Sequence, residues 1–460
     1  MPIKKRRVQG IWSSRWTFFA AAVALTAGLG DFWATPLYIS QQGGALYLLC
    51  YLFFLAVVMM PLAVAELRIA VKARANPIHA FDHFITYASS SRYWRLVPVI
   101  AVVAVVLLVA RMCVVGGWLL AYIPQMLAPE MLAASVDSVA GVFTSLLADS
   151  GQMVKNSLIF LVVVALFASM EVGKGLAMLL RVLLPLMMIM LVLLVYYAYE
   201  LGDARVAHTA LLEFRPDQFS WSQGFSALQQ AFFTLCAGSF ALMAFGAYFP
   251  VGRSVDRQIA MVASLDVLIM LMAGILILAL VADQHILPGT GPALLFISLP
   301  YTFGNLIFGD LVGVAFFVLL SIFMLTSAVA LLEPLVAHGV ERWAAPRWLI
   351  APAVAVFVGG LSVLSIDSLL VNPSAENAPQ GFLGHSLWEW LDILAGAILL
   401  PLAAFLFSLF AGWRIPRVVY GSPDGVFAKM AFWLWYQLLR YIAPPVLFLV
   451  LVVGCYARFS

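Results

Sequence analysis

An apolar run that is interrupted in its middle constrains this chain more than any other feature. Within the run from Leu25 to Pro36, Gly28 and Gly30 lie two residues apart and Asp31 follows directly. Backbone groups can leave a helix at membrane depth only where they line a cavity or are buried in protein, because lipid offers them no hydrogen-bond partner. Since acids at this depth usually mark a pathway or an ion site, the run predicts a broken helix that binds a ligand. The alternative is a glycine kink that only lets another helix pack closely.

Apolar segments of about 20 residues, the length needed to cross about 30 Å of hydrocarbon, recur along the whole chain. We count eleven, beginning near residues 13, 44, 93, 156, 175, 222, 258, 311, 348, 387 and 432. With 64% apolar and only 10% charged residues, the chain cannot cover the surface of an ordinary soluble protein. The sequence therefore predicts an all-α integral membrane protein.

The 25 Lys and Arg residues are distributed unequally between alternate loops. Twenty lie in the N-terminal tail and in every second connection, four lie on the opposite side, and Arg111 lies inside the third segment. Because cytoplasmic loops retain cations, the N-terminus is predicted to be cytoplasmic and the C-terminus external. The basic tail also resembles a signal peptide, but the apolar run continues into a second half-helix and ten further segments follow. The net charge of +3 is explained by the inner loops and implies no nucleic acid.

The four cysteines give no sign of a disulfide or a metal site. Cys50, Cys113, Cys236 and Cys455 all lie in apolar segments without paired spacing, whereas disulfide frameworks and metal sites show characteristic spacings. We interpret them as small buried residues.

The sixth segment is interrupted in the same way as the first. Small and hydroxyl-bearing residues occupy the centre of the run from Phe232 to Phe240, five segments after the first interruption. Two broken helices in corresponding positions of two halves predict an inverted repeat with a site at the midplane of the membrane. The predicted organisation is a basic tail at 1–11, a first five-helix repeat at 12–200, a second at 220–413 and a final helix at 424–457.

The order and spacing of these motifs resemble the neurotransmitter:sodium symporter family. The matching runs, in chain order, are Trp12 with Gly28–Phe32, Gly43–Gly44 with Pro61 and Glu66, Gln230–Thr234, Leu325–Ser327 with Pro334, Asp392–Gly396 and Arg440–Pro444. The resemblance covers nearly the whole chain and implies the eleven-helix bacterial branch with a LeuT-like 5+5 inverted repeat, whose first and sixth helices are broken. It also implies a transporter and not an enzyme.

One sodium site of the family is matched completely. The resemblance assigns it to the carbonyl oxygens of Ala24, Ala27 and Phe323 and to the hydroxyls of Thr326 and Ser327. Five neutral oxygens from a broken helix and a neighbouring helix suit a hard monovalent cation. The alternative for the two hydroxyls is a hydrogen bond back to their own helix, which is common in membrane spans.

The other ion site departs from the family pattern. Asp31 and Asp266 stand where the family has asparagines, and Arg111 lies in the third segment at a position from which it could neutralise them. Three solutions balance these charges, since a third negative group would be costly. One acid stays protonated and couples transport to a proton, Arg111 replaces the sodium ion, or the substrate brings an amine and no carboxylate.

Chloride is not expected as a further ion. Tyr51, Gln230 and Thr234 resemble the family's chloride ligands, but Met270 stands where chloride-dependent members have a serine and offers no useful donor. The nearby Asp266 would also repel an anion.

The resemblance implies a substrate pocket and two gates. The pocket is mostly apolar with several hydroxyls, which is typical of small-ligand sites, and comprises Leu25, Thr26, Leu29, Gly30, Leu108, Met112, Phe233, Thr234, Cys236, Ser239, Ser327 and Leu331. The gate residues are Asp392 on the outside and Trp12, Tyr248 and Glu341 on the inside. Ala34 stands where the family has the arginine that pairs with the outer acid, so the outer gate is predicted to be altered.

These features together predict a sodium-coupled symporter of the bacterial inner membrane that imports an amino acid or a related amine. Sodium is the expected coupling ion, with a proton as the alternative at the altered site. The expected partners are a small-molecule substrate and membrane lipids, and a homo-oligomer stays open. The competing hypothesis is a sensor or scaffold protein that kept the fold and lost coupled transport.

Overall fold

A computed structural model describes residues 12, 14–250, 252, 254–283, 291–369, 385–421 and 426–459. In these ranges every regular element is a helix, and the only strand-like pairing is a single bridge between Gly44 and Phe214. The prediction of an all-α chain is therefore confirmed for this part of the molecule.

Within the described ranges, nine continuous helices are long and apolar enough to cross a membrane. They are Ala45–Ala73, Arg92–Gln125, Ser150–Ala168, Ala177–Leu201, Val255–Ala282, Gly309–Trp343, Arg347–Leu369, Leu387–Arg414 and Val426–Phe459. A tenth span, the first in the chain, consists of Arg15–Thr26 and Gly30–Gln41, bent by 60° at the break. The predicted sixth span is represented by two shorter helices, Trp221–Thr234 and Ala241–Gly246. Counting that pair as one span, we number the spans one to eleven in chain order.

Shorter helices lie in the connections between the spans. Among the described residues they include Pro77–Tyr87, Val136–Ala148, Ala204–Leu212 and Leu294–Gly304. Several spans also contain π-helical turns, which often occur at functional sites. One of these, Ile393–Leu399, lies in the tenth span directly after Asp392.

The first span breaks between Thr26 and Gly30, where the sequence predicts the break. The Asp31 carboxylate accepts a hydrogen bond from the Gly28 backbone N–H at 2.8 Å and so satisfies one donor that the break frees. Neither glycine has a positive φ, so the break does not depend on a left-handed backbone. A Cβ at Gly30 would meet nothing within 4 Å, which shows that this position borders open space.

The break in the sixth span has a different cause. Cys236, Gly238 and Phe240 all have positive φ, at 47°, 91° and 59°. Such residues cannot continue a right-handed helix. Glu66 of the second span accepts a hydrogen bond from the Gly238 N–H at 2.5 Å, and a Cβ at Gly238 would lie only 2.7 Å from that of Ala404. Glycine is therefore required there both by φ and by the close approach of the tenth span.

Candidate ion- and substrate-binding site

The oxygens of the predicted sodium site lie together where the first span meets the eighth. The Ser327 hydroxyl lies 3.0 Å from the carbonyl oxygens of both Ala24 and Ala27, which are some 300 residues away in sequence. The Thr326 hydroxyl lies 3.0 Å from the Phe323 carbonyl oxygen and 2.9 Å from that of Ile322. Thr326 therefore shows the back-bonding to its own helix that the sequence left open, whereas Ser327 reaches across to the broken span.

The chemistry of this cluster suits a cation. All five residues that supply its oxygens are buried. Three carbonyl oxygens and two hydroxyl oxygens share only two hydroxyl protons, so the cluster has more lone pairs than donors. A hard monovalent cation would satisfy the excess acceptors without adding a buried net negative charge.

Asp31 and Asp266 form a second polar centre beside the break. Both side chains are buried, and their carboxyl groups are close enough for their charges to interact. Neither oxygen of Asp266 has a hydrogen bond of good geometry within the described part of the chain, although the Thr26 side chain lies near enough to interact with it. Two buried acids whose charges interact need a positive charge to offset them.

Arg111 does not supply that charge, contrary to one of the three solutions above. Its guanidinium forms a hydrogen-bonded ion pair with Asp392 of the tenth span and lies over the Trp388 ring, 4.4 Å from the ring centre. The described contacts of Arg111 therefore join it to Asp392, the predicted outer gate residue, and not to Asp31 or Asp266. The physical reason is its direction around the helix, since each residue turns a side chain by about 100°.

The hydroxyls that resemble chloride ligands bond one another. Tyr51 and Thr234 lie 2.9 Å apart through their hydroxyl oxygens, and Thr35 lies 3.4 Å from the Gln230 side-chain oxygen. Met270 is fully buried. This corner is thus filled by neutral partners next to the two acids.

The predicted pocket residues differ in their access to the surface. The buried ones are Leu25, Thr26, Leu29, Thr234, Ser239, Ser327 and Leu331; Leu108, Met112 and Cys236 are half-buried, and Gly30 and Phe233 are exposed. The two breaks meet here, because the Cys236 thiol lies 3.6 Å from the Leu25 carbonyl oxygen. Ser239 donates to the Cys236 carbonyl at 2.5 Å, so its hydroxyl is held by its own loop. Phe233, one of the predicted pocket residues, leaves 44% of its surface exposed.

The predicted inner gate residues separate into two groups. Trp12 donates from its backbone to the Tyr248 carbonyl and from its indole to the Phe245 carbonyl, each at 3.0 Å. Glu341 instead accepts hydrogen bonds from Asn76 and contacts His79 at 2.8 Å. The basic residues Lys4 to Arg7 lie outside the described residues.

The partner of Tyr248 is not among the residues predicted from the sequence. The Tyr248 hydroxyl donates to Glu333 at 3.2 Å, and Glu333 forms a two-pronged ion pair with Arg347 at 2.9 and 2.7 Å. Both members of this pair are buried, with 1% and 8% of their surface exposed. The sequence contains a signal for this pair, because an acid next to Pro334 within an apolar segment requires a partner.

Known proteins resemble this chain in sequence and in fold. The model of the family described as "Sodium:neurotransmitter symporter family" matches residues 137–371. The chain is similar to the uncharacterized sodium-dependent transporter YhdH of Bacillus subtilis, with 28% identity covering 95% of this chain and 96% of the relative. It is also similar to an uncharacterized sodium-dependent transporter of Haemophilus influenzae, with 23% identity covering 96% and 97%. Among solved structures, MhsT in complex with L-phenylalanine matches with a TM-score of 0.84 and 28% identity, covering 97% of this chain and 100% of that chain.

Proposed function

The chain belongs to the sodium:neurotransmitter symporter family, and from that membership we propose that it imports an amino acid or a related amine by sodium-coupled alternating access. The family consists of transporters and not of enzymes. The single observation that carries the proposal is the oxygen cluster of Ala24, Ala27, Phe323, Thr326 and Ser327, which joins the broken first span to the eighth. A cation bound there would hold the two spans together, so sodium binding could bias the orientation of the pathway.

The negative charges of Asp31 and Asp266 indicate that a positively charged ligand binds in addition to sodium. Since Arg111 is engaged by Asp392, two of the three solutions remain in this proposal. Either a proton or the ammonium group of the substrate supplies a positive charge between the acids. Both explain why two carboxylates can replace neutral amides in a buried site.

The remaining pocket favours an apolar substrate. Leu25, Leu29, Leu108 and Leu331 offer hydrocarbon, and Met112 offers no donor for a carboxylate. Ser239 stands where relatives often have an aromatic residue and enlarges the proposed cavity. The structure of MhsT was solved with L-phenylalanine, and we extend that class to this chain as a candidate, together with amines of similar size.

The proposed placement in the membrane and division into repeats also rest on the family membership. The chain is a multi-pass membrane protein, and we place it in the bacterial inner membrane with a cytoplasmic N-terminus. The repeats at 12–200 and 220–413, together with the tail at 1–11 and the last helix at 424–457, are the proposed moving and supporting units. A sensor or scaffold without transport is motivated by the missing gate arginine at Ala34 and by the acids Asp31 and Asp266 at the altered ion site. The ion pair of Arg111 with Asp392 weakens the first of these motives only.

Uptake by proteoliposomes tests the proposal. Purified protein should accumulate at least one member of a panel of apolar amino acids and of amines without a carboxylate when an inward sodium gradient is imposed. Uptake should vanish when choline replaces sodium, and a pH-sensitive dye in the lumen will show whether a proton accompanies the substrate. Binding of a panel member without any gradient-driven accumulation would instead support the sensor.

Chloride should not be needed for this uptake. Met270 offers no donor, and the nearby acids disfavour an anion. Replacing chloride by gluconate on both sides of the membrane should leave the initial rate of sodium-driven uptake unchanged. Complete loss of uptake in gluconate would contradict the prediction, and restoration by added chloride would be the matching control.

A further inference from the structure

The tenth span carries an acid that two arginines from distant parts of the chain share. One oxygen of Asp392 pairs with Arg111 of the third span, and the other lies 2.7 Å from Arg458 at the end of the eleventh span. We propose that Arg111, Asp392 and Arg458 form the external gate of the pathway, with the third span supplying the cation that the first span lacks. This inference rests on the proposed transport function and concerns access to the same site.

The ion pair of Arg111 and Asp392 lies near the predicted pocket, which supports its role as a gate. Gly396 lies one turn after Asp392, and a Cβ built there would be 3.9 Å from the Asp392 carboxylate and 3.8 Å from the ring tip of Phe233. The ion pair is therefore a neighbour of the exposed aromatic side chain over the predicted pocket. A contact that ties the third span to the tenth at this point restricts the opening above the pocket.

The environment of the pair suits a contact that must break and form again. The side chains of Arg111, Asp392 and Arg458 are 23%, 32% and 53% exposed, so the protein does not enclose any of the three completely. A pair that solvent can reach in this proposal is weaker than a fully buried one, because solvent stabilises the separated charges. The Trp388 ring, whose centre lies 4.4 Å from the guanidinium carbon of Arg111, offers the cation a partner when the carboxylate leaves.

The residues at two positions explain why the third span, and not the first, supplies the cation that pairs with Asp392. Ala34 has only a methyl group, so it offers Asp392 no charge. Arg111 retains one further donor, since its buried Nε has no hydrogen-bond partner among the described residues. The π-helical turn Ile393–Leu399 begins directly after Asp392, and such turns are frequent at functional sites.

Cys236 provides a native reporter of the gate. It is half-buried in the predicted pocket, so a reagent from outside must pass the gate to reach it. We would replace Cys50, Cys113 and Cys455 by alanine, place the protein in right-side-out vesicles and measure the alkylation rate of Cys236 by a membrane-impermeant maleimide. Melting temperature with and without sodium would establish that each variant is folded.

Loss of either charge should open the gate. Arg111→Gln and Asp392→Asn should each raise the alkylation rate by about fivefold, which corresponds to about 1 kcal/mol. Arg458→Gln should give a smaller increase, and Arg111→Lys should keep a rate near that of the parent. Arg95→Gln is the matched control, because it removes an ion pair with Asp82 that has no contact with the proposed gate.

Unchanged alkylation in both Arg111→Gln and Asp392→Asn would overturn the gate. If Arg111→Gln does not fold, Asp392→Asn removes the same pair from its acidic side, and Arg458→Gln removes the second ion pair of Asp392. An equal increase in Arg95→Gln would show a general loosening and would also count against the proposal. The assay needs neither substrate nor uptake, so failure of sodium-driven transport would be distinguishable from failure of the gate.

Discussion

Replacing both Thr326 and Ser327 by alanine should abolish the stabilisation of this protein by sodium. The change removes two of the five oxygens of the cluster, including the hydroxyl that lies 3.0 Å from Ala24 and Ala27 carbonyls. Each lost buried partner costs about 1 to 3 kcal/mol, so sodium affinity should fall by at least about 2 kcal/mol, or about 30-fold. The melting temperature in detergent, measured with sodium and with choline, reports the effect.

A matched control comes from the same helix. Ser321 is buried and donates only to the Phe317 carbonyl of its own helix at 2.7 Å. Ser321→Ala should therefore leave the sodium-dependent rise in melting temperature intact. If the double alanine variant kept the full rise, the cation would lie elsewhere.

Arg347→Met should destabilise the whole protein. Glu333 would then remain buried without the guanidinium that accompanies it, and removing one member of a buried pair costs about 3 to 5 kcal/mol. The variant also removes a hydrogen bond to the Ala168 carbonyl. We expect a markedly lower melting temperature and a lower yield of monodisperse protein.

The double variant Glu333→Gln with Arg347→Met separates charge from packing. It leaves no unpaired charge, so it should recover most of the loss, because buried ion pairs are often replaceable by neutral groups. The Tyr248 hydroxyl keeps an acceptor in glutamine. A melting temperature of Arg347→Met equal to that of the parent would refute the assignment of this pair as a structural anchor.

The features that depend on local chemistry could be predicted from the sequence. Helix-breaking glycines next to an intramembrane acid predict the first break, which the structure places between Thr26 and Gly30. Apolar length predicts the spans, since lipid leaves few alternatives to a helix. Gly28 and Gly30 at the first break do not have a positive φ. Of the two breaks, only the second contains residues with a left-handed backbone.

The features that depend on the rotation of a helix could not be predicted in this way. Arg111 lies in the middle of its segment, and the sequence does not show which neighbour it faces. Each residue of a helix turns the side-chain direction by about 100°. A shift of one residue therefore decides whether Arg111 points to the acids of the ion site or to Asp392, which is its partner in the structure. The same limit applies to Glu333, whose partner Arg347 begins the next span.

Direct binding of radioactive sodium tests the central claim, that this chain binds sodium where the first and eighth spans meet. Equilibrium dialysis of purified protein should show saturable binding, and the double variant Thr326→Ala with Ser327→Ala should lose the ion held by the cluster while Ser321→Ala keeps it. Binding in the double variant equal to that of the parent protein, or no saturable binding in the parent, would contradict the account.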